Sequence, residues 1–368
     1  MPNLTSTIVN VQATVTAAPA PSQYQQSGAL VSVGGTTLTA NTTQSFGTLA
    51  ELEAVLSNTG NYLELTAMAT TFFAQSSASN SPIGVYVLEL GVQSSPANGI
   101  AALTSWITAN PNTFYAYLTP ATWDADGAAL NTLAANYSST AGKTYFFAST
   151  TAATISQYAA TSKAIVAVVP SPTALSTEFQ AAAFFYQWLA NNPSSANPAA
   201  PMNFRFAYGV TPWVLTNNQT EINNILSAYG NVILTGAEGG ISTATLRNGT
   251  TMDGNQAMFW YAVDWYLVNG KQQLAAAIIN GSNSQPPLYY NQAGINQLLA
   301  LLNTIGSTGI KSGLFLSAVP AAIPFSTYVA QYPSNYAAGI YNGFSCTATP
   351  QNGFTSITFY LDATEFVA

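Results

Sequence analysis

Two hydrophobic periods take turns along the middle of this chain, and that alternation limits its fold more than any other feature. Thr48 and Glu51 have the spacing of a capping box, followed by Leu52, Val55 and Leu56 at helical intervals. Leu65, Met68, Phe72 and Phe73 predict a second helix, and Val85 to Leu88 a buried strand. Ile100, Leu103 and Trp106 predict a helix, Phe114 to Leu118 a strand, and Leu130, Leu133 and Tyr137 another helix. Strands are expected at Tyr145 to Phe147 and Ile165 to Val169, then an apolar helix over Phe179 to Leu189. Helices and strands in this order imply an α/β (mixed α+β) architecture, with helices packed on a sheet.

A Pro- and Asn-rich stretch from Asn191 to Pro201 reads as a linker or loop. Beyond it, Asn218 and Glu221 suggest a second capping pair ahead of Ile222, Ile225 and Leu226. Val232 to Leu234 is a short strand, and Asn248-Gly249 a hairpin-turn dipeptide. Long helices are expected over Ala257 to Ile279 and Ile295 to Ile305. The two ends resemble one another. Val9, Val11, Ala13 and Val15 alternate with polar residues, as do Ile357, Phe359 and Leu361. The expected organisation is an N-terminal arm (1–30), an outer α/β domain (31–205), an inner assembly domain (206–352) and a C-terminal strand (353–368).

Charge is scarce. Only 5% of the 368 residues are Asp, Glu, Lys or Arg, against about 25% ordinarily. Protein interfaces are depleted in such residues, so one reading is a surface covered by other protein; a general bias toward Ala, Ser, Thr and Asn is the other. Six basic residues and a net charge of −7 argue against a phosphate-tracking groove or a membrane-binding polybasic patch. No stretch reaches the roughly 18 apolar residues of a membrane span, and the start, Met1-Pro2-Asn3-Leu4-Thr5, does not read as a signal peptide. Cys346 stands alone, which excludes an intrachain disulfide; a buried or inert thiol is expected.

The chain contains no histidine, which removes imidazole bases, Ser-His-Asp and Cys-His catalysis and His metal sites together. Phosphate-binding Gly loops and a Ser-x-x-Lys pattern are missing, and Asp362-Ala363-Thr364 lacks the Gly of an aspartic-protease signature. Carboxylates remain. Asp124 and Asp126 beside Trp123 have the look of a sugar-cleaving pair, but capping of the following helix explains them better. Asp253 reads as a turn residue near Gly254, and Asp264 as a helical residue meeting Lys, Arg or backbone. No cofactor or metal is expected.

The order of segments resembles the tail sheath proteins of contractile-tailed phages, in particular a sheath-like family of phage proteins. The resemblance runs through most of the chain as a pattern. Its parts are Phe46-Gly47-Thr48-Leu49-Ala50-Glu51, Phe72-Phe73-Ala74-Gln75-Ser76 and Ile83-Gly84-Val85-Tyr86-Val87. Phe114 to Leu118 with Thr122-Trp123-Asp124, and Phe204-Arg205-Phe206 with Gly209-Val210-Thr211-Pro212, continue it. Asn248-Gly249-Thr250, Gly254 and Asp264-Trp265-Tyr266-Leu267 complete it. The low charge, and few basic residues between Ala199 and Arg205, depart from it.

The resemblance implies a structural subunit, not an enzyme. Such subunits stack as hexameric rings in a helical sleeve around a tail tube, and contraction drives the tube through the host envelope. Implied partners are further copies of the chain, the tube protein, and baseplate and tail-terminator proteins, without direct contact to nucleic acid or insertion into a membrane. Implied location is the virion tail, assembled in the bacterial cytoplasm. Subunits would be linked by terminal strands, with Ile8, Val9, Val11 and Val15 in one and Ile357, Phe359, Leu361 and Phe366 in the other. Lys271 and Lys311 are candidates to face the tube. Rival readings are another virion protein (tube, fibre or adhesin subunit) or a carbohydrate-active enzyme built on Asp124 or Asp126.

Overall fold

The computed structural model describes residues 22–78, 83–137, 144–158, 160, 162–236 and 240–356. Its centre is a six-stranded sheet. The strands are β1 (Gly28–Ser32), β2 (Thr42–Phe46), β3 (Val85–Glu89), β4 (Ala116–Leu118), β5 (Tyr145–Ser149) and β6 (Ile165–Val168). Their order is β2-β3-β1-β4-β5-β6. All pairings are parallel except that of edge strand β2 with β3.

Parallel sheets need cover on both faces, and the strands have the continuous apolar runs this demands. Leu30, Val87, Leu118, Phe147 and Val166 point to one face, beneath α3 (Tyr62–Ala78) and α6 (Gln180–Leu189). Ala29, Val31, Leu88, Tyr117, Phe146 and Ile165 point to the other, beneath α4 (Pro96–Ala109) and α5 (Gly127–Ala135). A short α1 (Ser22–Gln25) precedes the sheet, and α2 (Leu49–Glu53) lies between β2 and α3. The expected capping pair forms at α2. Thr48 Oγ1 accepts from Glu51 N–H, and the Glu51 carboxylate accepts from Gly47 N–H at 2.8 Å.

The segment after residue 205 begins against this same sheet. Strands β7 (Phe206–Ala207), β8 (Val232–Gly236) and β9 (Ile241–Arg247) form an antiparallel sheet of order β7-β9-β8. Helix α7 (Gln219–Ser227) packs Ile222 and Ile225 into the second core. Two expectations change here. Asn218 precedes α7, but its side chain donates to Val214 O and caps nothing. Asn248 and Gly249 both have positive φ, yet they follow β9 and join no hairpin; Asn248 Nδ2 donates to Leu226 O and Gly230 O. The strand foreseen over Phe114 to Leu118 begins only at Ala116, and the helix foreseen through Tyr137 ends at Ala135.

The remainder consists of α8 (Ala257–Ser282), α9 (Gln292–Lys311), β10 (Phe315–Ala322), α10 (Phe325–Gln331), α11 (Pro333–Ala337) and β11 (Phe344–Pro350). Strands β10 and β11 pair only with each other among the described residues. The expected terminal strands at 9–15 and 357–361 lie outside the described residues.

Candidate assembly interface

Open parallel sheets hold ligands at the carboxyl ends of the strands where the order reverses, here between β1 and β4. This chain fills that crevice with its own side chains. Asn61 Oδ1 accepts from Val33 N–H at 2.8 Å while its amide donates to Val31 O. Glu64 Oε1 accepts from Ala121 N–H at 2.7 Å, and burial pushes its carboxyl above the usual range. Beside it, buried Glu89 accepts from the hydroxyls of Ser32 and Thr36 and the backbone N–H of Gly34, Thr36 and Gly91. The acids there hold loops.

The other acids singled out above are engaged similarly. Asp124 accepts from Thr154 Oγ1, Gln157 Nε2 and Tyr158 OH. It fastens the segment 154–158 and does not cap α5; Asp126, at the N-cap position, makes no side-chain cap either. Asp253 is the expected turn residue, accepting from Thr251 Oγ1 and Asn255 N–H and also from Trp260 Nε1. Asp264 gains two partners that the sequence did not suggest. It is 2% exposed on α8, and its carboxylate accepts from Tyr115 OH at 3.0 Å and Tyr145 OH at 2.7 Å. Tyr145 belongs to β5 and Tyr115 directly precedes β4, so this node ties α8 to the first sheet. Burial, reinforced by the Asp264 charge, pushes both phenols well above the usual tyrosine range.

Helix α8 leaves the core as it proceeds. Its buried residues run from Ala257 to Gly270, whereas Lys271, Ile278 and Ile279 are exposed. Helix α9 returns beside it. Asn291 caps its start by accepting from Gly294 N–H, and Gly309 lies against Trp265 of α8 and Phe315 of β10. A side chain at Gly309 would collide with both rings, so small residues there permit the close approach. Helix α9 ends with Gly313 in the left-handed region at φ 70°; its N–H bonds Ile310 O, and Leu314 N–H bonds Gly309 O. This Schellman ending turns the chain directly into β10.

The β10–β11 ribbon is among the strands that the sequence reading missed, with β1, β2, β7 and β9. Its register pairs Val319 with Thr347 and Pro320 with Cys346. Ile323 N–H bonds Gly343 O, which fixes the parity of the ladder. Odd residues of β10 therefore bond across the pair, and Ala318, Pro320 and Ala322 turn their backbone groups outward. Phe344, Cys346 and Ala348 do the same on β11. Both edges of the ribbon are open among the described residues. The β10 edge lacks one donor, because Pro320 has no N–H. Pro320 inside the run also hid the strand, since proline in a strand survives only where its nitrogen faces away from the partner. Cys346 is exposed on this ribbon, contrary to the buried thiol expected.

One face of the ribbon rests on α9, where Gly306 meets Ala318. The opposite face carries Val319, 62% exposed, among Ser and Thr. At the Phe344 end an aromatic group closes the ribbon: Tyr290, Phe325, Tyr328, Tyr336 and Tyr341 pack edge to face or tilted. Lys271 and Lys311 are both exposed, one midway along α8 and the other in the last turn of α9. The strand residues Ile8, Val9, Val11, Val15, Ile357, Phe359, Leu361 and Phe366 lie outside the described residues. No helix among the described residues is long and apolar enough to cross a membrane, and they contain no cluster of potential metal ligands.

No family model and no curated protein sequence matches the chain. Solved structures do. A chain in the cryo-EM structure of the anti-feeding prophage baseplate, 6-fold symmetrised, superposes with TM-score 0.60 at 11% identity, covering 94% of each chain. A chain of the anti-feeding prophage helical sheath in the contracted state gives TM-score 0.56 at 10% identity, covering 99% of both. The sheath tail protein of Listeria innocua gives 0.53 at 9% identity, covering 90% of this chain and 98% of its own.

Proposed function

We propose that this chain, which has the fold of contractile-tail sheath proteins over nearly its whole length, is itself a sheath subunit: it polymerises as a helical sleeve around a tail tube and drives the tube outward by contracting. One observation carries the reading. The fold matches, end to end, a chain from a contracted helical sheath, and it carries a two-stranded ribbon whose edges are both open among the described residues. An open edge leaves backbone donors and acceptors that a strand from another chain can satisfy.

Terminal segments 4–16 and 354–367, each with apolar residues at every second position, are suitable strands to add to such edges. Three outward-facing residues on β11 offer three N–H and three C=O groups. At roughly 1 kcal/mol net per hydrogen bond, one added strand contributes several kcal/mol before side-chain burial. Links of that strength can persist while the bodies they join change their packing, as contraction requires. Partners on this reading are further copies of the chain in hexameric rings, a tube protein, and baseplate and terminator proteins. Lys271 and Lys311 are the cationic candidates for tube contact.

A second reading comes from the baseplate match: a subunit with sheath fold confined to the baseplate. Electron microscopy of the purified protein separates the two. Long hollow cylinders are expected of a sheath subunit, and a chain lacking residues 1–16 should stay soluble without forming them. Discrete particles from the full chain at every concentration, or normal cylinders from the shortened one, would overturn the proposal.

A further inference from the structure

A groove of about 420 Å³ runs between α7 and the β7-β9-β8 sheet. Phe206, Leu234 and Ile241 line it on the sheet side, and Ile222 and Leu226 on the helix side. Phe204, Phe206 and Ile241 are 43%, 44% and 44% exposed, so the groove presents apolar surface to solvent. Thr245 and Arg247 of β9 face it, whereas Ala244 and Leu246 turn into the core beneath. The Arg247 guanidinium lies 4.6 Å from the centre of the Phe204 ring, a cation–π contact that holds it in place. Among the described residues no carboxylate lines the groove, and its one charge is Arg247. The described residues end beside this arginine, at 356. The side-chain amide of Asn203 accepts from Asn248 N–H through Oδ1 and donates to Phe354 O through Nδ2, each at 3.1 Å. One side chain thus joins residue 354 to the residue that follows Arg247, and Gln256 fastens Gly353 with two further bonds.

We propose that in the unassembled subunit residues 357–368 dock into this groove of their own chain, and that they leave it on assembly to pair with a neighbour. The release rests on the assembly reading; the docking stands on the groove itself. The segment supplies Ile357, Phe359, Leu361 and Phe366 for the apolar walls, and its only charges, Asp362 and Glu365, are opposite in sign to Arg247. Its length suffices. From Arg247 to Ile241 the groove follows six steps of β9, about 20 Å. The twelve residues beyond 356 span up to about 40 Å when extended, so the segment can cross the groove and still bring a carboxylate to Arg247. The N-terminal segment fits less well. It joins the fold at α1, where Gln25 bonds Tyr115 and Tyr261, and residues 1–21 carry no charge to meet the arginine. One segment cannot occupy its own groove and a neighbour's sheet together, so docking restrains assembly. If about nine in ten free subunits are docked, the competent fraction is about one tenth, and the concentration needed to polymerise rises about tenfold.

The test uses the full chain in a Cys346→Ser background, kept below the concentration at which it polymerises. Phe206→Cys is combined in turn with Ile357→Cys, Phe359→Cys and Leu361→Cys. On oxidation at least one pair should close an intrachain disulfide, seen as a faster-migrating monomer, and mixtures of the single variants should give no dimer. The second readout is the critical concentration for polymer formation. Arg247→Glu repels the segment and should lower it by about fivefold or more, whereas Leu63→Glu, at an exposed site on α3, should leave it unchanged. The sign is diagnostic, because a variant that merely folded poorly would need more protein to polymerise. No intrachain disulfide from any of the three pairs, dimers from the mixtures, or an unchanged or raised critical concentration for Arg247→Glu would each overturn the inference while leaving the sheath reading standing. An intrachain disulfide in a chain that never polymerises would uphold the docking and overturn the sheath reading.

Discussion

Replacing Asp264 by alanine strands two buried hydroxyls. Tyr115 and Tyr145 are 0% and 2% exposed, and each donates to the same carboxylate oxygen. A buried donor left unsatisfied costs about 1–3 kcal/mol, so the pair amounts to about 2–6 kcal/mol. Better helix propensity of Ala over Asp in α8 returns roughly 0.5 kcal/mol. The expected net loss is about 2–5 kcal/mol, read as a shift in the urea midpoint by tryptophan fluorescence; Trp188 stacks on Tyr115 and reports this region. The loss should belong to unpaired polarity and not to a missing shape. Adding Tyr115→Phe and Tyr145→Phe to Asp264→Leu removes donors and acceptor together and should recover most of it. An Asp264→Ala protein within about 0.5 kcal/mol of wild type, or a triple variant no better than the single one, would refute the argument that this node fastens α8 to the sheet.

Alkali should unfold the protein from about pH 10 upward. Burial holds Tyr24, Tyr115, Tyr117, Tyr145, Tyr158 and Tyr261 above the ordinary phenol range, so above pH 10 the unfolded chain releases protons that the native one retains. Stability contributed by these groups is complete below the unfolded pKa and is lost as pH rises through the native values; a circular-dichroism titration flat to pH 12 would contradict this. Glu89→Ala removes the acceptor of five donors holding the loops after β1 and β3, and should cost about 3 kcal/mol or more in urea unfolding. Proline distinguishes the two sides of the ribbon. Cys346→Pro deletes an outward donor and should block polymerisation in a folded subunit, whereas Thr347→Pro deletes a ladder bond and should lower the melting temperature.

Element type was legible where the hydrophobic period was long. Leu65, Met68, Phe72 and Phe73 appear as the buried face of α3, and the runs at 85–88, 145–147 and 165–169 as β3, β5 and β6. Less legible was β1, the central strand. Gly28-Ala29-Leu30-Val31-Ser32 is short and buried on both faces, so it shows no alternation to detect. Strands β10 and β11 escaped for another reason. Their residues are mostly small or hydroxylated and one face meets solvent, while Pro320 argues against a strand unless its orientation is known.

The acids show the same division. Asp253 could be assigned from its neighbours Thr251, Gly254 and Asn255, because an Asx turn is a local interaction. Asp124 and Asp264 could not, since their partners lie 30 to 149 residues away. Composition and period therefore determined which segments must be buried, which must be helix or strand, and how little charge the surface could carry. Tertiary structure alone decided which strand became central, which carboxylates met which hydroxyls, and that two strands would pair only with each other among the described residues. Local sequence encodes what a segment buries, but pairing between distant segments depends on how the whole chain closes around them.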